Sequence, residues 1–536
     1  MSADSIRNDA EAGEAVVEPS LLRRAGKVID DHINPIVVKE LRQAVRGRFL
    51  VVVMVLFLVV AMVVVGVTLL NMDPLSGGTA YGRGVFLGLY SIMLFTCVVL
   101  IPTFVGVRMA VERSGENLDL LYVTPLTSGA IIRGKAFSAM VLAVLVFSIC
   151  LPFLTLTYLM RGIDLPTIAV MMGIAVLAVV AAVFYAILMA SIPGSRGLKA
   201  LLGLMGLGGL SWLFGIIVMV VGDSIFMGRG MWFDTWEFWG AVGTMTGLTV
   251  LSTGLMGACA QACIMPASAN RALSIRLWIT GAWVFGLIAA LAWAVETGDR
   301  DVLLGWMIPA LVLLSVALLG AISERETTGP RLARSIPANP LGRVMAFLFF
   351  SGAGGGVIWC LLLMAATIVL SMAAGTMLPG HAGRISDFSI GMLVLIGIGL
   401  YMVSYALTAG IIRRSLLARW VRPGQTWAVA LGLFSAAMVV PVLLILLVIR
   451  APMNSLDDRM GLFLLTPMTL YDSPYRSLGL TVSAIWAGIA LMLSLPWIGR
   501  QFRDFRTLKR PARPPARAEV LHAESAEQSG GGEVDG

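Results

Sequence analysis

Hydrophobic and polar positions alternate along this chain on the scale of whole helices. Twelve runs contain no Asp, Glu, Lys, Arg or His, at about 49–70, 85–107, 136–160, 165–190, 200–221, 238–265, 277–295, 302–322, 344–373, 388–412, 428–449 and 478–498. Each approaches or exceeds the roughly 20 residues that a helix needs to cross a ~30 Å hydrocarbon core. The pattern predicts an all-α, polytopic integral membrane protein of about twelve transmembrane helices. The runs 238–265 and 344–373 are longer than a bilayer requires, and Gly352, Gly354, Gly355 and Gly356 predict a break in the second.

Charge then orients the spans. The 536 residues are 58% hydrophobic and 13% charged, a balance foreign to soluble domains, with net charge +8. A basic chain suggests nucleic acid, but the positive residues follow topology instead. With the N-terminus cytoplasmic, 31 of the 39 Lys and Arg fall in inside segments and the rest outside. That is the positive-inside bias, and twelve spans return the C-terminus to the cytoplasm. Arg outnumbers Lys, which fits a bacterial source and so a bacterial cytoplasmic (inner) membrane. Cysteines introduced singly as Ser76→Cys and Asp457→Cys are expected to react with an impermeant reagent from outside, and Glu116→Cys and Ala418→Cys only from inside. Labelling of position 116 from outside would reverse the orientation.

The polar stretches divide the chain further. Residues 1–31 lack hydrophobic periodicity and predict a disordered cytoplasmic tail. Residues 32–48 predict an amphipathic interfacial helix, with Asn34 as N-cap, Pro35 at N1, and Val37, Val38, Leu41, Ala44 and Val45 on one stripe. Lys39, Arg42, Gln43 and Arg46 face away, where anionic headgroups would attract them. With 48 mostly polar residues before the first span and no A-x-A site after a short apolar core, that span is expected to remain as an anchor. Residues 49–265 form a first six-span half with a polar loop at 108–135. Residues 266–498 form a second, with a loop at 323–343, and 499–536 read as a basic and then disordered tail.

The two loops share a register. Glu112-Arg113 precedes Pro125 by 13 residues, as Glu324-Arg325 precedes Pro337, and each loop ends in Gly plus a basic residue, Gly134-Lys135 and Gly342-Arg343. Six spans separate them, as in a parallel repeat. In the first loop Leu118, Leu121 and Tyr122 share one face, suited to lipid or a protein groove, beside Glu112, Arg113, Glu116 and Asp119. The second loop lacks that apolar core.

The run Glu112-Arg113, Gly115-Glu116-Asn117-Leu118-Asp119-Leu120-Leu121, Thr124-Pro125-Leu126 and Gly134-Lys135 resembles the ER-x-x-G-T-L-D-L-L-x-x-T-P-L…G-K signature of type 2 ATP-binding-cassette exporter permeases. Asn34-Pro35-Ile36 through Lys39-Glu40-Leu41-Arg42 is similar to the leading helix of the same family. The matching pieces lie within 32–160, and Asn117 stands where Thr is usual. The resemblance implies a membrane-spanning permease subunit whose loop, a coupling helix, seats in a separate cytoplasmic ATPase. ATP and Mg would be held by that partner, with no cofactor on this chain. The usual span count of that family is six, so either a second permease chain completes the membrane domain or Glu324, Arg325 and Pro337 mark a second coupling loop.

Other readings are weaker in the residues. Gly129 to Ala136 nearly matches a P-loop, but Ala136 offers no hydroxyl to Mg and no strand precedes it. An ion-coupled carrier would usually place Asp, Glu or His within spans, and none lies in these twelve. No nucleophile, base and orienting group converge, so no enzyme is expected. A non-transporting membrane scaffold remains the alternative. The five Cys all fall in spans, where they read as packing residues.

Overall fold

The computed structural model describes residues 35–46, 48–70, 79–112, 127–160, 163–226, 235–266, 268–377, 385–445, 461–471 and 473–506. The expected tails at 1–31 and beyond 506 lie outside them. No strand occurs among the described residues. The reason is the solvent: lipid satisfies no backbone N–H or C=O, so even a Val-rich segment such as 51–67 is driven to the helix despite its modest propensity. Eleven described helices are long and apolar enough to cross a membrane, and a shorter apolar one spans Val51–Val67. The chain is an all-α polytopic membrane protein.

The chain divides into two compact units, Met1–Val242 with Cys259–Ile264, and Gly243–Ala258 with Met265–Gly536. The division runs through the sixth apolar run, 238–265, and not only after its end. In the first unit α1 (Pro35–Arg46) leads to α2 (Arg48–Leu70). The next span, α3, runs Thr79–Phe95, a π-helical turn Thr96–Leu100, and Ile101–Glu112. It is followed by α4 (Ser128–Leu159), α5 (Leu165–Ser191) and α6 (Arg196–Phe226), and then by α7 (Trp236–Ile264), whose two ends belong to this unit and whose middle belongs to the second. The π turn sits just before Pro102, which has no N–H and whose ring crowds the carbonyl four residues back, so widening the turn relieves both problems.

Within this unit α3 packs against α2, α4, α5 and α6. Its buried Tyr90 donates to the Met171 carbonyl of α5 at 3.0 Å. By contrast Val55, Leu56, Val59, Met62 and Val63 of α2 are more than half exposed. In a spanning helix that surface belongs to lipid.

The second unit holds α8 (Ala272–Thr297), α9 (Asp301–Ile322), α10 (Pro340–Phe349), α11 (Ala353–Met377), α12 (Ile385–Ser415), α13 (Thr426–Leu443) and α14 (Ser473–Asp504). Here α9 packs against α8, α11, α12 and α13. The second span of each six therefore touches the first, third, fourth and fifth of its own set.

The expected break in the ninth span lies between α10 and α11, at Phe350–Gly352. A broken helix leaves orphan carbonyls on one side and orphan N–H groups on the other. Arg276 of α8, buried, donates to the Leu348 and Phe350 carbonyls at 2.6 and 2.8 Å and to both oxygens of Glu324 at 2.7 Å. Glu324 in turn accepts from the Gly352 N–H at 2.6 Å, and Gln501 Oε1 from that of Gly354 at 2.7 Å. Gly356 lies directly over this cation, where a Cβ would fall 2.5 Å from Arg276 Nη2. Close approach explains the glycine run.

Two segments depart from expectation. The helix of the last span does not stop at 498 but continues to Asp504, because Phe502 and Phe505 are packed against Phe347. The basic tail therefore starts later than the sequence suggests. The described part of the segment between the last two spans, 461–471, turns back into the second unit: Phe463, Thr466, Thr469 and Leu470 are buried. Tyr401 donates to the Leu464 carbonyl at 2.7 Å, and Tyr405 to that of Leu465. Tyr405 stands ~12 Å along α12 from Arg413, at about 1.5 Å per residue, which is within hydrocarbon depth. Irregular backbone survives at that depth only with its polar groups satisfied by protein; the two hydroxyls do this for Leu464 and Leu465, and Arg476 for the Leu470 and Tyr471 carbonyls.

Candidate functional site: a charged clamp at the base of the polar loop

The C-terminal end of α3 and the start of α4 are the two edges of the loop whose sequence carries the family resemblance. Ser128 begins α4, and Thr127 caps it by accepting the Ala130 N–H. Arg113, Gly115, Glu116, Leu118, Asp119, Leu120, Leu121, Thr124 and Pro125 lie outside the described residues, as does Asn34. Glu112 and Lys135 are described. They make the edges one structure.

Lys135 points from the second turn of α4 into a buried position with its side chain 6% exposed. Its ammonium is 2.7 Å from Glu112 Oε2 at the end of α3 and 2.7 Å from Glu40 Oε1 on α1. Arg108 of α3 adds a second cation 3.5 Å from Glu40 and donates to Gln43 Oε1. Two carboxylates and two cations thus join three helices. A buried ammonium without such partners would be strongly disfavoured, so the cluster is stable only as a whole.

This arrangement changes the picture of α1. Lys39, Arg42 and Arg46 are exposed as expected, and Pro35 begins the helix. Val37 and Glu40 are buried, and α1 packs against α4. The stripe expected to meet lipid rests at least in part on protein. Glu112, expected to be free for partners, is already engaged by Lys135.

The corresponding loop of the second unit is wired differently. Glu324 is paired with Arg276 of α8 and not with Arg343. Desolvation raises the Glu324 carboxyl above the ordinary carboxylate range, with the Arg276 charge, its hydrogen bond and the Gly352 N–H pulling in the opposite direction. Arg325 and Pro337 are exposed. Arg325, Glu326, Thr327 and Thr328 border a cavity of about 250 Å³ floored by Phe347, Phe350 and Phe505.

Sequence reasoning missed Glu40 and Lys135 as a pair. The signal was present: Glu40 falls three residues after Val37 and four before Ala44, on the apolar stripe itself. Lys135 is likewise in phase with the buried Ile131, Ile132, Ala139 and Leu142. A charge in register with an apolar face needs a partner, and these two are each other's. Among the described residues no group of His, Cys, Asp and Glu is placed to hold a metal ion. Comparison with known proteins finds no matching family model, no matching curated protein and no matching solved structure.

Proposed function

We propose that this chain is the membrane-spanning permease of an ATP-binding-cassette exporter in the bacterial cytoplasmic membrane, driven by ATP that a separate cytoplasmic subunit hydrolyses. Loop 113–126 is the coupling segment. The observation that supports this most is the clamp: Lys135, Glu112, Glu40 and Arg108 tie both edges of the loop to α1, so a push on the loop is delivered to α1, α3 and α4 together. A loop hinged on unpaired helix ends would dissipate the same push. The hub position of α3 then carries the displacement to α2, α5 and α6.

The pair Arg276–Glu324 is the nearest thing to an ion-coupling group, but both Glu324 oxygens are occupied by the guanidinium and one also by the Gly352 N–H. Energy therefore enters from outside the membrane domain. Purified alone, the chain is expected to hydrolyse ATP at background rate. Affinity-tagged and co-expressed with an ATPase encoded beside its gene, it is expected to retain that subunit and its hydrolysis through detergent extraction. An ATPase activity intrinsic to the isolated chain would contradict the proposal.

A further inference from the structure

Loop 323–343 repeats the register of the first loop with the apolar residues of its middle turned inward. Leu332, Ala333 and Ile336 are buried, the last two in a cluster with Ala346 and Phe347 of α10 and with Phe505. Phe502 and Phe505 meet the Phe347 ring edge to face, at 5.1 and 5.5 Å between centroids. Such pairs add to simple burial because a positive ring edge meets a negative face.

Arg343 fastens the same contact from its other side. Its guanidinium donates to the Phe505 carbonyl at 2.7 Å, to Phe502 at 2.8 Å and to Arg503 at 3.5 Å. Phe502 and Arg503 lie in the last turn of α14 and Phe505 just beyond its end, where carbonyls have no partner within the helix. The guanidinium also lies 5.0 Å over the Phe502 ring. Where Lys135 clamps the first loop to α1, the matching Arg343 clamps the second loop to the end of the chain's own last span.

The acidic groups of this loop are also spent, Glu324 on Arg276 and Glu326 on Arg413. What remains exposed is Arg325, Arg331 and Arg334, with Pro330 and Pro337. That is a basic surface on which Leu341, at the start of α10, is the one exposed large apolar side chain, against the cluster of Leu118, Leu120, Leu121 and Tyr122 in the sequence of the first loop.

Resting on the function proposed above, we infer that loop 323–343 is a latch closed in cis by Phe502, Phe505 and the last turn of α14. An ATPase then couples to this chain through loop 113–126 alone. For the second loop to serve as a socket, the two phenylalanines would have to leave Phe347 and Arg343 would have to release three carbonyls.

The test uses the full chain in inside-out vesicles, with two variants and two readouts: retention of the co-expressed ATPase, and tryptic cleavage after Arg503 and Arg506. Phe505→Asp opens the latch and is expected to speed that cleavage on the order of tenfold, since local opening governs it. ATPase retention should stay within about twofold of the parent, because exposed and remote groups contribute little to an interface they do not form. The double variant Arg331→Glu/Arg334→Glu is expected to change neither readout. A tenfold or greater loss of ATPase in the double variant, with normal insertion, would make the loop a second socket and overturn the inference. Unchanged cleavage in Phe505→Asp would overturn the latch. A parent chain that retains no ATPase defeats the proposed function and the single-socket claim with it, while the cleavage readout still decides the latch.

Discussion

Replacing Lys135 by Met is expected to free α1 from α4 and leave the spans in place. The ammonium is the shared partner of Glu40 and Glu112, and Glu40 is buried. Removing one member of a buried ion pair costs about 3–5 kcal/mol, because the other charge is left desolvated and unpaired. Arg108 remains 3.5 Å from Glu40 and Glu112 is partly exposed, so the lower end, about 3 kcal/mol, is the fair expectation. That corresponds to roughly a hundredfold rise in the open population of α1. Amide exchange over 35–46 measures it. Adding Glu40→Gln to Lys135→Met should recover much of the protection, since the orphaned charge goes with its partner. Exchange unchanged in Lys135→Met would mean that the cluster does not hold α1.

The spans were legible in the sequence for a simple physical reason. A lipid-facing or core-facing helix rejects ionised groups over about 20 residues, and that gap is visible without any knowledge of packing. Interactions between distant segments were not legible in the same way. Arg276 follows Ile275 at the inner end of a span and reads as ordinary basic flank, although it is the residue that closes the broken ninth helix. Phe502 and Phe505 were hidden among Arg500, Arg503, Asp504 and Arg506, where the density of charge outweighed an i, i+3 aromatic pair. The glycine run did announce its break, because four glycines in five residues rarely serve helix stability. The re-entry of 461–471 had no local signal, since its partners Tyr401 and Tyr405 lie some 60 residues away.

The candidate site was legible in part. The residues Glu112 and Lys135 were both noticed, one as a free charge and the other as the lysine of a false P-loop. Their real relation depends on α3 and α4 running antiparallel from a shared loop, which brings the end of one beside the start of the other. Glu40 joins them only because α1 folds against α4. In sequence, Leu118, Leu120, Leu121 and Tyr122 fall between edges whose charges are already paired. The charges fasten the edges of the loop, and under the proposed function its apolar residues would be what meets the ATPase.

Leu120→Asp places a carboxylate where a partner groove expects a leucine, and burying an unpaired charge costs several kcal/mol, more than most transient subunit contacts can absorb. The position lies between the clamped edges at Glu112 and Lys135, so the spans should insert and extract at normal yield. The decisive measurement is the amount of co-expressed ATPase retained by affinity-tagged chain, parent against Leu120→Asp, at equal recovery of the permease. The account predicts retention by the parent and a loss of at least about tenfold in the variant, the equivalent of ~1.4 kcal/mol. Equal retention by both chains, with the variant folded and inserted, would contradict it.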